Sequence, residues 1–347
     1  MENIIKKLNF ITQNDLENIK LGKNKEKKII KISNFISKNF KHYYHAFNYR
    51  QNFFDQTNIF KLINVYGYGN CVHYAFLFAF LMDILKVKNE LIFLKSKKKK
   101  FSHIINIIYL KKKKFWIDLD HNIFEYKDKL IPIDGIKEII IKTKILEINY
   151  KKKFIENIYL YKNKKTFKDR YDSIKASYLE GINNFEIFNL YENNFHYKSK
   201  MKKFFSKNYF YNQPLWLENQ PNKLFNTKNS IGFIDGKLSK EKKYKFKNKV
   251  IKFSNILDNN FVLNNFPFPI TNIKINGSIK SKVKLFILDD KIKNYNNFSF
   301  SKYILKKKIR TPIYSFRVNS NLKIKNIKVE FLISDFRLKF YKFLKRL

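Results

Sequence analysis

The stretch Gly69-Asn70-Cys71-Val72-His73-Tyr74-Ala75-Phe76-Leu77-Phe78-Ala79-Phe80-Leu81-Met82 decides how this chain is read, because it places the only cysteine in 347 residues at the head of a long apolar run. Such a run reads as a buried helix, ending near Lys86. Cys71 then stands at the amino terminus of that helix, where partial positive charge favours thiolate, the nucleophilic form of cysteine. Downstream, Ser102-His103 lies on a strand-like segment and Trp116-Ile117-Asp118 on the next. Cysteine, histidine and aspartate together are the parts of a nucleophilic hydrolase or acyltransferase.

The spacings allow these three to meet. Cys71 and His103 are 32 positions apart, enough for a helix, a turn and a strand that returns beside the helix start. His103 and Asp118 are 15 apart on two segments joined by the lysine-rich turn Lys111–Lys114, which is hairpin spacing. Period-two alternation puts Trp116, Asp118 and Asp120 on one face of the third strand and Phe115, Ile117 and Leu119 on the other. Asp118 would hold the imidazole in the tautomer whose second nitrogen deprotonates Cys71.

Working outward, residues 13 to 40 carry helical spacing, and the segment from Phe40 to Phe60 is crowded with aromatics. Strands are expected over Glu90–Leu94, Ser102–Leu110, Lys114–Leu119 and Ile136–Ile141, and a helix over Lys165–Leu179 with Gly181 as its stop. Residues 191–245 read as an irregular connecting region. Short runs rich in Ile, Val and Phe follow, at Lys249–Phe253, Ile270–Ile275, Val283–Leu288, Pro312–Val318 and Ile327–Ile333. Together they suggest an all-β, sandwich-like module. The expected organisation is an α+β domain with amino-terminal helices over 1–190, the connecting region 191–245, and an all-β domain over 246–347.

Composition sets the outer bounds. A length of 347 residues suits two domains. A single cysteine excludes an intramolecular disulfide, and the amino-terminal residues lack the apolar stretch of a secretory signal. The longest apolar run, Tyr74 to Met82, is about half the roughly 20 residues that span a membrane. A cytoplasmic protein without a membrane span is the expectation. The formal charge of +44 comes with inflated Lys, Asn, Ile, Phe and Tyr together, the pattern that an AT-rich genome imposes on any protein. The charge therefore does not by itself point to nucleic acid, which is disfavoured as a partner, while an anionic surface stays open.

Several fragments resemble the transglutaminase-like superfamily, with its papain-like cysteine, histidine and aspartate. They are Tyr66-Gly67-Tyr68-Gly69-Asn70-Cys71 with Ala75 one turn on, His103 with Asn106, Trp116-Ile117-Asp118, and Asp118-Leu119-Asp120-His121. The bacterial members are the most similar. The resemblance spans about residues 60 to 126 and implies Cys71 as nucleophile, His103 as general base and Asp118 as orienting carboxylate. Leu119, Ser102 and Ile107 depart from residues common in the family and put the contacts to substrate in question. The implied fold is a cysteine-bearing helix packed on an antiparallel sheet.

An acyl intermediate also needs donors for its oxyanion. Tyr66 is the leading side-chain candidate, with Tyr68 and Asn64 as alternatives; Gly67 and Gly69 allow close backbone approach before Cys71. A zinc site is the competing reading of Cys71, His73, His103, Asp118, Asp120 and His121. Cys71 and His73 point about 200° apart on a helix, so they do not share an ion, and neither metal nor cofactor is expected. The expected substrate is a peptide, an amide or a small acyl compound. The alternatives are a catalytically inactive binding scaffold and a basic protein that binds an anionic polymer.

Overall fold

The computed structural model describes residues 10–42 (without 21 and 23), 59–95, 102–149, 164–187 (without 184 and 185) and, between 231 and 347, the strands, the closing helix and part of the connections. The aromatic-rich segment between 43 and 58, the Lys97–Lys100 turn and most of 191–245 lie outside the described residues. The protein mixes helices with predominantly antiparallel sheets, an α+β composition. Its chain forms two compact units, each discontinuous in sequence. One comprises Gln13–Phe47, Gly67–Tyr211 and Lys339–Leu347, and the other Met1–Thr12, Asn48–Tyr66 and Asn212–Leu338.

In the first unit, helix α1 (Lys25–Asn39) buries Ile29, Ile32, Ser33 and Ile36, the i, i+3, i+4, i+7 stripe of an amphipathic helix. Helix α2 (Cys71–Ile84) is apolar all round and is buried from His73 to Met82. Strands β1 (Asn89–Lys95), β2 (Ser102–Leu110), β3 (Lys113–Ile117) and the two-residue β4 (Glu186–Ile187) form an antiparallel sheet in the order β3-β2-β1-β4.

Alternation along β2 divides its contacts between two sets of partners. Asn106 donates to the Ala75 carbonyl of α2 at 3.0 Å. Ile105 and Ile107, on the opposite face, join Trp116, Ile92 and Leu94 in a core with Ile174 and Tyr178 of helix α4 (Lys164–Gly181). α4 lies so close to β1 that a Cβ on Gly181 would come within 2.8 Å of the Leu94 side chain and 3.2 Å of its Cα, which is why glycine ends this helix.

Residues Ile136–Thr143 form helix α3, not the expected strand. Ile136 and Ile140 are buried, whereas Glu138 between them is 66% exposed and pairs with Lys142 one turn on. A strand that buried Ile136 and Ile140 would bury Glu138 with them; one turn of helix rotates it to solvent. The third strand also stops earlier than expected, at Ile117.

In the second unit, strands β5 (Ile231–Ile234), β6 (Lys237–Leu238), β9 (Asn260–Asn264), β11 (Lys282–Leu288), β12 (Asn296–Ser301) and β14 (Ser315–Ser320) form a six-stranded sheet, in the order β6-β5-β9-β14-β11-β12. Strands β7 (Tyr244–Lys247), β8 (Val250–Ile256), β10 (Ile270–Gly277), β13 (Ile304–Lys308) and β15 (Ile324–Phe331) form a five-stranded sheet, in the order β7-β8-β15-β10-β13. Phe253 of β8 meets Phe261 of β9 with ring centroids 5.2 Å apart, so the two sheets face each other through aromatic side chains. β5, β6 and the start of β7 fall within the region expected to be irregular. Pairing of β5 with β9, far along the chain, stabilises a segment with little strand signal of its own.

Candidate active site

The local sequence sets the start of α2 firmly. Asn70 caps the helix, its side-chain oxygen accepting from the Val72 N–H at 3.2 Å, while the Asn70 N–H donates to His73 Nδ1 at 3.0 Å. This is a capping box in which histidine replaces the usual Glu or Gln. Burial lowers the His73 pKa to about 4, so the ring stays neutral and Nδ1 keeps the lone pair that the cap requires. Gly69 is needed here, because a Cβ at that position would lie 2.6 Å from His73 Cγ. Cys71 follows as the first helical residue and is partly exposed.

His103 comes from the start of β2 and is 1% exposed. Its Nε2 bonds Asp118 Oδ2 at 2.8 Å, and Cys71 is near enough to act on the same ring electrostatically. With Nε2 engaged by the carboxylate, the nitrogen left for Cys71 is Nδ1. Burial alone would lower the His103 pKa, but the charge and hydrogen bond of Asp118, with the charge of Cys71, outweigh it and hold the ring well above its ordinary value. Burial likewise disfavours the Asp118 anion, yet His103 and His121 hold that carboxyl well below the usual carboxylate range.

Asp118 is not on the strand proper. It pairs across a tight loop with Ile123, its N–H donating to the Ile123 carbonyl at 2.9 Å and its carbonyl accepting in return at 2.8 Å. Asn122 takes a φ of +56° inside the loop. The carboxylate folds the loop back by accepting the His121 N–H on Oδ1 at 3.0 Å, a local side-chain to backbone bond that competes with strand continuation. From α1, Ser37 Oγ donates to the Leu119 carbonyl at 2.8 Å. Asp118 to His121 are therefore all buried, where alternation along a strand would have buried every second one.

The structure thus pairs His103 with Asp118 and sets Cys71 near enough to raise the His103 pKa, while Trp116 lies in the core against Tyr178. It adds His121, which the sequence offered only through the Asp118–His121 fragment and as a competing zinc ligand, and Tyr178, which it did not offer. His121 Nδ1 lies 3.1 Å from Asp118 Oδ2 and 3.1 Å from His103 Nε2. Its pKa is lowered, first by burial and further by the neighbouring His103 charge, although Asp118 opposes the shift. A neutral His121 donating from Nδ1 gives Asp118 two imidazole partners on one oxygen. Tyr178 of α4 lies across both rings, with centroids 5.7 Å from His103 and 5.9 Å from His121. The i, i+3 relation of Asp118 and His121 was readable in the sequence; Tyr178 carried no signal beyond helical periodicity.

Tyr66 is buried at the end of a π-helical turn, Leu62–Tyr66, in the compact unit that does not contain Cys71. Tyr68 pairs with Lys41 in a short parallel bridge. The backbone N–H of Cys71 lies in the first turn of α2, where no intrahelical acceptor is available, and so is a donor for charge on an acyl oxygen. Among the described residues, His103, Asp120 and His121 form a group whose ligand atoms lie within 4.8 Å of one another. An ion there would draw on the same His103 ring that bonds Asp118. His42 Nε2 stands 3.6 Å from Asp120 Oδ1 at the edge of this group. No protein-family model and no curated protein sequence matches this chain.

Proposed function

We propose that this protein is a cysteine-dependent hydrolase or acyltransferase, built on a transglutaminase-like domain with a sandwich-like β module. The observation that carries the reading is the buried His103–Asp118 pair at 2.8 Å, whose imidazole also feels Cys71 at the head of α2. With its pKa raised, His103 Nδ1 holds the Cys71 proton in the resting protein, and the sulfur attacks an acyl carbon of a peptide, amide or related substrate. The imidazolium returns that proton to the leaving amine as the tetrahedral intermediate collapses to a thioester. Water or a second amine then attacks the thioester, His103 accepts the attacking group's proton, and the thiol leaves. The Cys71 N–H supplies one oxyanion donor.

The test needs no substrate. Cys71 is the only cysteine, so iodoacetamide labels one thiol in the wild type and in His103→Ala. At neutral pH the wild type should be alkylated about tenfold faster or more, with a pH profile that the variant loses. Equal, slow labelling of the two proteins would instead support a binding scaffold that retains the fold without the chemistry.

A further inference from the structure

We propose that the buried side chains of His103, His121, Asp118 and Asp120 hold one divalent ion of the zinc class. Three of their atoms already stand almost as such an ion requires. His103 Nε2, His121 Nδ1 and Asp118 Oδ2 form a triangle with sides of 2.8, 3.1 and 3.1 Å. Zinc bonds of about 2.0 to 2.1 Å set tetrahedral donors about 3.3 to 3.4 Å apart, so the triangle has only to open by a few tenths of an ångström. Asp120 offers the fourth atom, a carboxylate oxygen within 4.8 Å of a ligand atom on each ring.

Hydrogen bonding accounts for two sides of the triangle and not for the third. Both rings donate to Asp118 Oδ2, which leaves their two N–H groups side by side, 3.1 Å apart, with nothing to exchange. An ion gives every side a reason, because each ring then turns a lone pair inward to a centre shared with the carboxylate. All four residues are buried. Two carboxylates beside two neutral imidazoles form a doubly negative donor set, which a divalent cation neutralises where unbalanced charge costs most.

The fold assembles the group from separate elements. His103 comes from β2, while Asp118, Asp120 and His121 lie in the tight loop closed by the Asp118–Ile123 pairing. His42 arrives on the short parallel bridge, where it pairs with Gly69, and its Nε2 stands 3.6 Å from Asp120 Oδ1. There it orients the carboxylate from behind, as the outer partners of metal ligands do. The His42 side chain is 14% exposed, against 1–6% for the other four, and marks where an ion enters.

Donor chemistry selects the ion. Imidazole nitrogen with carboxylate oxygen suits zinc, whereas calcium and magnesium take full oxygen shells. The set leaves out Cys71 and His73, which do not share an ion. A neutral imidazole has one lone pair, and an ion on His103 occupies the one that would accept a proton. The loaded protein then lacks the base for Cys71, an effect that rests on the hydrolase or acyltransferase reading; the metal site stands whether or not Cys71 is reactive.

The experiment titrates zinc chloride into the untagged full chain in a calorimeter, with one ion bound per chain as the expected result. Asp120→Asn and His121→Gln should each weaken binding by about a hundredfold or more, and His42→Gln, which removes only an orienting partner, by about tenfold. Cobalt(II) keeps the test available if the buried variants do not fold, since in the wild type it should show the intense visible bands of four-coordinate nitrogen and oxygen ligation. A thiolate-to-cobalt charge-transfer band would overturn the ligand set by placing Cys71 on the ion. Zinc affinity equal in the wild type and all three variants would overturn the site, leaving adventitious binding to other histidines. Preference for calcium or magnesium would overturn the choice of ion. Alkylation of Cys71 in metal-free wild type and His103→Ala decides the thiol chemistry separately, so either proposal can fail alone.

Discussion

Removing the Asp118 carboxylate tests the buried network without any knowledge of substrate. In Asp118→Ala three donors lose their acceptor: His103 Nε2 at 2.8 Å, His121 Nδ1 at 3.1 Å and the His121 N–H at 3.0 Å. Each unsatisfied buried donor costs about 1–3 kcal/mol, and breaking a buried charge pair costs about 3–5 kcal/mol in all. Because the three bonds act as one network they do not add, and the expected loss is about 4 kcal/mol. Asp118→Asn keeps an oxygen for the His121 N–H but loses the charge, for an expected loss of about 2 kcal/mol. The assay is urea denaturation followed by tryptophan fluorescence, since Trp116 is fully buried on the same face of the sheet.

The pH dependence of that loss has a definite sign. Asp118 has a lowered pKa, so its contribution is present above the unfolded value of about 3.9 and is lost as pH falls through the folded value. His103 has a raised pKa, so its contribution is complete below the unfolded value of about 6.5 and is lost as pH rises through the folded value. The gap between wild type and Asp118→Ala should be widest between about pH 4 and 6.5 and narrow on either side. A variant within about 1 kcal/mol of wild type at pH 6 would refute the network.

Two further substitutions probe the helix start and the five-stranded sheet. Gly69→Ala puts a methyl group 2.6 Å from His73 Cγ, and should cost about 1–3 kcal/mol in a denaturation titration while removing the dependence of Cys71 alkylation on His103. Lys328→Glu turns two repulsive cross-strand neighbours, Lys252 and Lys274, into attractive ones. It should raise stability by about 1 kcal/mol, an increase that salt diminishes.

Legibility followed the reach of the physics. α1, α2 and α4, and the strands carrying Ile270–Ile275 and Val283–Leu288, were readable because period and apolar content are local properties. Ile136–Ile141 was misread for a definite reason. Four β-branched residues among charged ones score as strand, and the deciding fact is that Glu138 must reach water while Ile136 and Ile140 do not. β5 and β6 were missed because their local hairpin spans only two residue pairs, and the other partner of β5, β9, lies some 30 positions away.

The site shows the same division at finer scale. Residue types and spacing named Cys71, His103 and Asp118, because a hairpin offset and a helix cap are short-range features. Alternation then placed Asp118 on a strand, whereas it heads a loop that turns back on its own carboxylate. That difference is what admits His121. On a continued strand, residues 118 and 121 would point to opposite faces; in the loop, both His121 nitrogens that matter, Nδ1 and the backbone N–H, converge on Asp118. The carboxylate is then held through both oxygens before it meets His103, so its orientation does not depend on the ring it is meant to steady. In the proposed reaction, a base positioned by an independently fixed carboxylate would keep its geometry as Cys71 moved toward an acyl carbon, the condition that proton transfer in both directions requires.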